Sequence, residues 1–224
     1  MTWQDITVKQ YQQLYPIISD ATLSELDVVV EVVSLLEGLA VDEIDSWPSK
    51  KLFEKQKEYA FLYKLEPTNP KSFIEANGKR YHFVHEVEKM PAARYIEAKH
   101  FAGNSVIENL HKIMASCVIP MKKKWFGWVD DKYQSKDHAI YAADLQQASF
   151  VEVYNCVVFF CQLYAGWIIT SKDYLVQTYS LTMTREQALI LVEDLCKLMG
   201  GNITPKQWQS LNALPSMKHT NSPA

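Results

Sequence analysis

Apolar residues recur along most of this chain at steps of three and four, the spacing that lines up side chains on one face of an α-helix. The clearest stripes are Leu23, Leu26, Val30, Val33 and Leu36; Leu52, Gln56, Tyr59 and Tyr63; Val106, Leu110, Ile113 and Cys117; and Leu189, Val192, Leu195, Cys196 and Met199. This pattern predicts a mainly helical protein. The stripes are interpreted as buried core and not as a cofactor-binding face.

Helix starts are marked by residue pairs in which the first side chain caps the helix and the second, three positions on, bonds back to it. The pairs are Thr7 with Gln10, Thr22 with Glu25, Ser149 with Glu152 and Thr184 with Gln187. Gly38 and the pair Gly200–Gly201 stand where helices end in a left-handed residue. Each pair predicts a helix that begins directly after its first member.

One stretch departs from the helical pattern, SFIEANGKRYHFVHEV at residues 72–87. Asn77 and Gly78 form the preferred two-residue turn of a β-hairpin, because both positions need a positive φ. The cross-strand pairs that follow are Glu75 with Arg80 and Ile74 with Tyr81. Two strands alone are marginally stable in water, so this hairpin must pack on helices or pair with another strand. The predicted fold class is therefore mainly α with one β-hairpin (α+β).

The best boundary between modules is EPTNPKS, residues 66–72, a short polar run that contains two prolines. It predicts an N-terminal helical module at 1–65 and a larger helical module carrying the hairpin at 72–212. Residues 213–224 are predicted to be a flexible tail that orders only against a partner.

Composition excludes several classes of protein. The net charge of −3 over 224 residues is too small to argue for polyanion binding by the whole chain. The start of the chain lacks the basic and apolar regions of a signal peptide. The apolar stretch 150–170 contains Glu152, Asn155 and Gln162, so it is interpreted as a buried core helix and not as a membrane anchor. The four scattered cysteines suit buried free thiols in a reducing cytosol.

No catalytic, metal-binding or nucleotide-binding motif stands out in the sequence. His82 and His85 lie three apart on a predicted strand, so they face opposite sides and do not share a metal ion. Neither an HExxH motif, paired cysteine ligands, a Walker motif nor a GxSxG elbow is present. The missing signatures predict no enzymatic activity, no cofactor and no metal site, and a site assembled from distant residues stays open as the alternative.

The most distinctive surface-like segment is MKKKWFGWVDDKY, residues 121–133. Its candidate contact residues are Lys122, Lys123, Lys124, Trp125 and Trp128, to which the hairpin adds Glu75 and Arg80. Three interpretations stay open: the tryptophans pack inward beneath solvated lysines, they form a protein interface, or the segment grips nucleic acid. The two aspartates that follow cancel much of the lysine charge and disfavour nucleic acid.

The order of elements in about the first 100 residues resembles proteins of tailed bacteriophages, especially those of the crAss-like type. The residues that carry the resemblance are Ile6, Thr7, Val8 and Tyr11 in the first helix; Leu36 and Gly38; Asp42, Glu43 and Ile44; Phe61 and Leu62; and Met90, Tyr95 and Ile96 after the hairpin. The resemblance implies a non-enzymatic role, either as a structural component of the neck and tail or as a tail-assembly chaperone.

The predicted function is a virion protein of the head–tail region that assembles as a ring or connector. Its expected partners are other copies of itself and other phage structural proteins, such as portal or tail subunits. Nucleic acid and membranes are not expected partners. The expected location is the virion, assembled in the host cytoplasm. The alternative is a soluble tail-assembly chaperone absent from the mature particle, favoured by an exposed apolar groove between the N-terminal helices. The length of 224 residues suits a structural subunit better.

Overall fold

The computed structural model describes residues 1–64, 69–86, 90–161, 176–177, 184 and 186–187. The stripe predicted at 189–199, the glycine pair at 200–201 and the predicted tail at 213–224 lie outside the described residues. Helices dominate, and the predicted fold class, mainly α with a β-hairpin, is confirmed.

The N-terminal part of the chain is helical. It contains α1 (Val8–Ser19), α2 (Glu25–Glu37), α3 (Val41–Asp45), α4 (Ser49–Glu58) and a short 3₁₀ turn at Ala60–Tyr63. The predicted reciprocal cap of Thr7 and Gln10 is present, and so is the left-handed end of α2 at Gly38, whose φ is +69°.

The predicted cap of α2 was wrong by two residues. Ser24 caps this helix and Asp27 bonds back to it, while the Thr22 hydroxyl donates to Asp20 instead. Ser and Asp form the same reciprocal cap as Thr and Glu, so the sequence holds two overlapping candidates and local geometry selects the second. The predicted cap of Thr184 and Gln187 is confirmed, because each backbone N–H bonds to the other side chain.

The second part of the described chain alternates strands and helices. Its order is β1 (Phe73–Ala76), β2 (Lys79–Phe83), α5 (Ala92–Asn104), α6 (Val106–Cys117), β3 (Val118–Lys124), β4 (Gly127–Asp130), α7 (His138–Leu145) and a helix at 150–161, here called α8. Within the described residues, the four strands form one antiparallel sheet in the order β1-β2-β3-β4.

The predicted hairpin is present with its predicted register. Glu75 lies opposite Arg80 and Ile74 lies opposite Tyr81. Asn77 has a φ of +50° and Gly78 a φ of +71°, as the two-residue turn requires. The hairpin gains its stability by pairing within the chain, because β2 also pairs with β3. The second hairpin, β3–β4, is a feature that the sequence pattern did not reveal.

One hydrophobic core connects the two ends of the described chain. The Tyr11 ring of α1 stacks on the Phe150 ring of α8, with 3.6 Å between ring centres. The backbone N–H of Val8 donates to the Ala148 carbonyl, and Thr7 forms a β-bridge with Ser149. Buried residues from both sides of the predicted boundary at 66–72 thus belong to one cluster. The division into modules at 1–65 and 72–212 stays a prediction.

The start of α8 is also tied to β1. Ser149 precedes the helix as predicted, but the Glu152 side chain forms an ion pair with Lys71, two residues before β1 begins. Among the described residues, no helix has both the length and the apolar character needed to cross a membrane.

Buried His111 on α6 joins α1 to the segment that follows α7. The Gln12 side-chain amide lies 3.0 Å from His111 Nδ1, and Gln146 Nε2 lies 3.5 Å from His111 Nε2. Burial, with the positive charge of Lys112 and the nearby His138, lowers the pKa of His111 to about 4 from its ordinary 6.5. The folded protein therefore holds this imidazole neutral at pH values where the unfolded chain protonates it.

We expect the free energy of unfolding to fall by about 2 kcal/mol on account of His111 between pH 7 and pH 4.5. The sign follows because the unfolded chain binds the extra proton below pH 6.5, and the folded protein binds it only near pH 4. Urea denaturation of the wild type and of His111→Gln at both pH values measures this difference. A variant that loses as much stability as the wild type over this range would contradict the prediction.

Candidate protein interface on the outer face of the sheet

The sheet has one face toward the helices and one toward solvent. The inner face carries Ile74, Ala76, Tyr81, Phe83 and Val118, all buried in the core. Because side chains alternate along a strand, the register assigns the next residues to the opposite face. This outer face consists of Phe73, Glu75, Arg80, His82, Ile119, Met121, Lys123, Trp128 and Asp130.

Aromatic and charged groups are interleaved on the outer face. The Arg80 guanidinium donates to the Glu75 carboxylate. Its central carbon lies 5.9 Å from the centre of the Phe73 ring and 5.1 Å from that of Trp128, so one cation bridges two aromatic rings across the sheet. His82 Nδ1 lies 2.9 Å from an Asp130 carboxylate oxygen. The outer face thus brings together three candidate contact residues from two separate segments of the chain: Glu75, Arg80 and Trp128.

The turn between β3 and β4 carries the most exposed aromatic pair of the described chain, here called the aromatic tip: Trp125 and Phe126. Trp125 is 95% exposed and Phe126 is 59% exposed. Their rings meet edge to face, with 5.3 Å between ring centres. Gly127, with a φ of +127°, provides the left-handed backbone that reverses the chain after the tip.

The interpretation that both tryptophans pack inward is wrong for Trp125. A turn of two residues carries its side chains away from the sheet, so no inner layer is within reach. Trp128 is half-buried, but it lies against Arg80 on the outer face and not in the core. Trp125, Phe126 and Trp128 therefore face solvent or other surface residues, whereas Tyr133 at the end of the segment packs against the core.

The three lysines before the tip have different surroundings. Lys122 Nζ lies 2.7 Å from an Asp131 carboxylate oxygen, Lys123 is opposite Trp128 in the β3–β4 pairing, and Lys124 Nζ lies 5.7 Å from the centre of the Phe126 ring. The hydrogen bond from Lys122 is the largest of several influences that lower the pKa of Asp131. One of the three lysines is thus paired with a carboxylate, and the neighbouring Asp130 adds a second negative charge, a balance that suits a protein partner better than a polyanion.

The turn of the β1–β2 hairpin is held by one buried carboxylate, Asp144 of α7. Asn77 Nδ2 donates to it at 2.7 Å, Lys79 Nζ at 2.7 Å and the Tyr81 hydroxyl at 2.5 Å. Burial alone raises the pKa of Asp144, but the hydrogen bonds from Lys79, Tyr81 and Asn77 outweigh it and the net pKa is lowered. This contact fixes the hairpin, and with it the outer face, on the helical layer.

A second polar cluster, between α5, α6 and α7, was not found from the sequence. The Ser116 hydroxyl lies 3.0 Å from Glu97 Oε2 and 3.1 Å from His138 Nε2. Glu97 approaches that same ring nitrogen, at 3.7 Å. A nucleophilic triad needs the acid on the other ring nitrogen and an accessible hydroxyl, whereas Ser116 is fully buried. The cluster therefore fastens three helices and does not form the geometry of a hydrolase site.

The groups left to consider are the cysteine thiols and the side chains that could bind a metal ion. The thiols of Cys117, Cys156 and Cys161 are free and buried, as predicted for three of the four cysteines, and burial raises the pKa of each. Cys196 lies outside the described residues. Among described residues, no three His, Cys, Asp or Glu side chains are placed to hold a metal ion.

No family model, no curated protein and no solved structure matches the chain.

Proposed function

We propose that this chain is a non-enzymatic structural subunit of a tailed-bacteriophage particle. It docks other proteins through the aromatic tip and the outer face of the sheet. The observation that carries the proposal is the near-complete exposure of Trp125, since tryptophan dominates the centres of protein interfaces and is costly to leave in water. The resemblance of about the first 100 residues to phage proteins supplies the biological setting.

The partners proposed are further copies of this chain and other structural proteins of the head–tail region, such as portal or tail subunits. Together they would form a ring or connector in the virion after assembly in the host cytoplasm. Arg80, flanked by Phe73 and Trp128, forms a second patch beside the tip, in which one arginine lies between two aromatic rings. Aromatic residues and arginine are the side chains enriched in protein interfaces.

We expect Trp125→Ala to weaken assembly or partner binding by about tenfold or more while leaving the monomer folded. The side chain lies almost wholly in solvent, so its removal leaves no cavity. Phe53→Ala is the matched control, because Phe53 is an exposed aromatic residue of α4. Sedimentation velocity measures assembly, and circular dichroism measures folding. Equal assembly in both variants and the wild type would contradict a role for the aromatic tip.

The place of the protein in the particle has its own test. Quantitative mass spectrometry of purified particles, compared with the infected-cell lysate, should find this chain at a fixed ratio to the portal protein. Abundance in the lysate combined with absence from particles would overturn the structural role. That outcome would favour the tail-assembly chaperone.

A further inference from the structure

Among the described residues, the two outer strands of the sheet, β1 and β4, both have backbone groups that no other strand pairs. Successive residues of an antiparallel strand point their backbone groups alternately to one side and the other, and this alternation identifies the unpaired groups. The Phe83 N–H donates to the Ser72 carbonyl, so alternate residues of β1 face β2, and Phe73 and Glu75 point their N–H and C=O groups outward. In the described part of the chain, no strand lies beyond β1.

The same reasoning applies at the opposite edge of the sheet. The Asp131 N–H donates to the Pro120 carbonyl, so Val129 faces β3 while Trp128 and Asp130 point their backbone groups outward. Their outward N–H groups have no hydrogen-bond partner among the described residues. Such open edges are templates for pairing with another chain.

The directions of the two edges are complementary. Neighbouring strands in the sheet are antiparallel, so β1 and β4, at positions one and four, run in opposite directions. When a second copy is placed beside the first in the same orientation, β4 of one therefore meets β1 of the next as an antiparallel neighbour. Both strands contain four residues, so the edges also match in length.

The surroundings of β1 select the register. The Lys71 carbonyl already accepts from the Cys156 thiol, and the Lys71 side chain pairs with Glu152, so α8 occupies the edge before Phe73. Within the part of the chain that the structure describes, Phe73 and Glu75 remain as the open positions of β1. Matching them to the open positions of β4 places Trp128 opposite Glu75 and Asp130 opposite Phe73. This alignment uses the full length of both strands and, within the two strands, puts no like charges opposite each other.

We infer that copies of this chain assemble head to tail by strand addition, β4 of one copy pairing with β1 of the next in this register. The inference rests on the self-assembly in the proposed function and names the surfaces that carry it. The aromatic tip then comes level with the Asn77-Gly78 turn of the neighbouring copy, because both directly adjoin the paired strands. A head-to-tail contact of this kind forms a ring when its rotation closes.

A cysteine pair tests the contact and its register together. In the inferred register Asp131 of one copy lies opposite Ser72 of the next, in a non-hydrogen-bonded pair with about 4.5 Å between Cα atoms, close enough for a disulfide. Within one copy the two positions are separated by three strand spacings, about 14 Å. We expect the full-length Ser72→Cys, Asp131→Cys variant, oxidised with copper–phenanthroline, to form a ladder of covalent oligomers on a non-reducing gel.

Three controls make the result specific. The single variants oxidised separately should stay monomeric, while a mixture of the two should stop at covalent dimers. Ser72→Cys with Val129→Cys probes a register shifted by two residues, and a ladder from this pair in place of the first would overturn the alignment. Covalent dimers from Val129→Cys alone would overturn head-to-tail addition, because they require two β4 strands to pair with each other.

Failure of this inference is distinguishable from failure of the proposed function. Finding the chain in purified particles while the cysteine pair stays monomeric in solution and in particles would overturn strand addition and leave the structural role standing. A covalent ladder from a protein that is absent from particles would support strand addition and overturn the structural role in the particle.

Discussion

Asp144→Ala is expected to lower the free energy of unfolding by about 3 kcal/mol, because it removes a buried acceptor that satisfies three donors. Asp144 is 4% exposed, and Tyr81, whose hydroxyl donates to it, is 1% exposed. The alanine variant therefore leaves a buried phenol without its partner and releases Lys79 and Asn77 from the hairpin turn. Urea denaturation at pH 7 measures the change.

Asp144→Asn provides an isosteric comparison. It keeps the shape but loses the charge and turns one acceptor into a donor, so we expect a loss of about 2 kcal/mol. Asp131→Asn, which alters an exposed carboxylate paired with Lys122, should have little measurable effect. Because the pKa of Asp144 is lowered, its contribution is complete above the ordinary carboxyl pKa and is lost as the pH falls through the lowered value. Equal stabilities of the wild type and Asp144→Ala would show that the contact does not hold the hairpin.

The second large effect is expected at Arg94 of α5, whose side chain is buried. Its guanidinium donates to the carbonyls of Ser116 and Val118, where α6 ends and β3 begins, and lies 4.0 Å from the centre of the Tyr133 ring. Arg94→Ala leaves both carbonyls unsatisfied and opens a cavity. We expect the free energy of unfolding to fall by about 4 kcal/mol.

Arg94→Lys separates charge from geometry. Lysine keeps the positive charge but lacks the planar fork that reaches two carbonyls, so it should recover only about half of the loss. Ile96→Ala is the matched control on the same helix, since Ile96 is largely exposed and its removal should change stability little. Thermal and urea unfolding measure both variants. Equal losses of stability in Arg94→Ala and Ile96→Ala would contradict a role for the guanidinium at this junction.

Most features encoded by neighbouring residues were predicted from the sequence, but the start of α2 was placed two residues too early and Leu26 of its predicted buried stripe is exposed. The hairpin at Asn77-Gly78 and the cap at Thr7 depend on contacts within a few positions, so their residue types suffice to identify them. The second hairpin was missed because three consecutive lysines in β3 conceal the alternation of a half-buried strand. Its pairing with β2 joins residues 35 to 41 positions apart, from Phe83 with Val118 to Arg80 with Met121, and no local pattern records it.

The candidate interface was predicted in part. The sequence identified Trp125, Trp128 and the lysines as a distinctive segment, and separately identified Glu75 and Arg80 as a cross-strand pair. It did not indicate that Arg80 lies against Trp128, because this contact depends on the whole order of the sheet. Asp144 was not identified either. A carboxylate in the last turn of a helix opposes the helix dipole, and only the three distant donors explain its position.

The shortness of β1 and β4 determines how firmly any neighbour can attach to the sheet. Pairing along four residues forms only a few hydrogen bonds, and each contributes about 1 kcal/mol net. A single edge contact is therefore readily reversible, so wrongly placed partners dissociate. A subunit held at both edges must lose two contacts at once to leave, which makes a closed assembly far longer-lived than any of its open precursors.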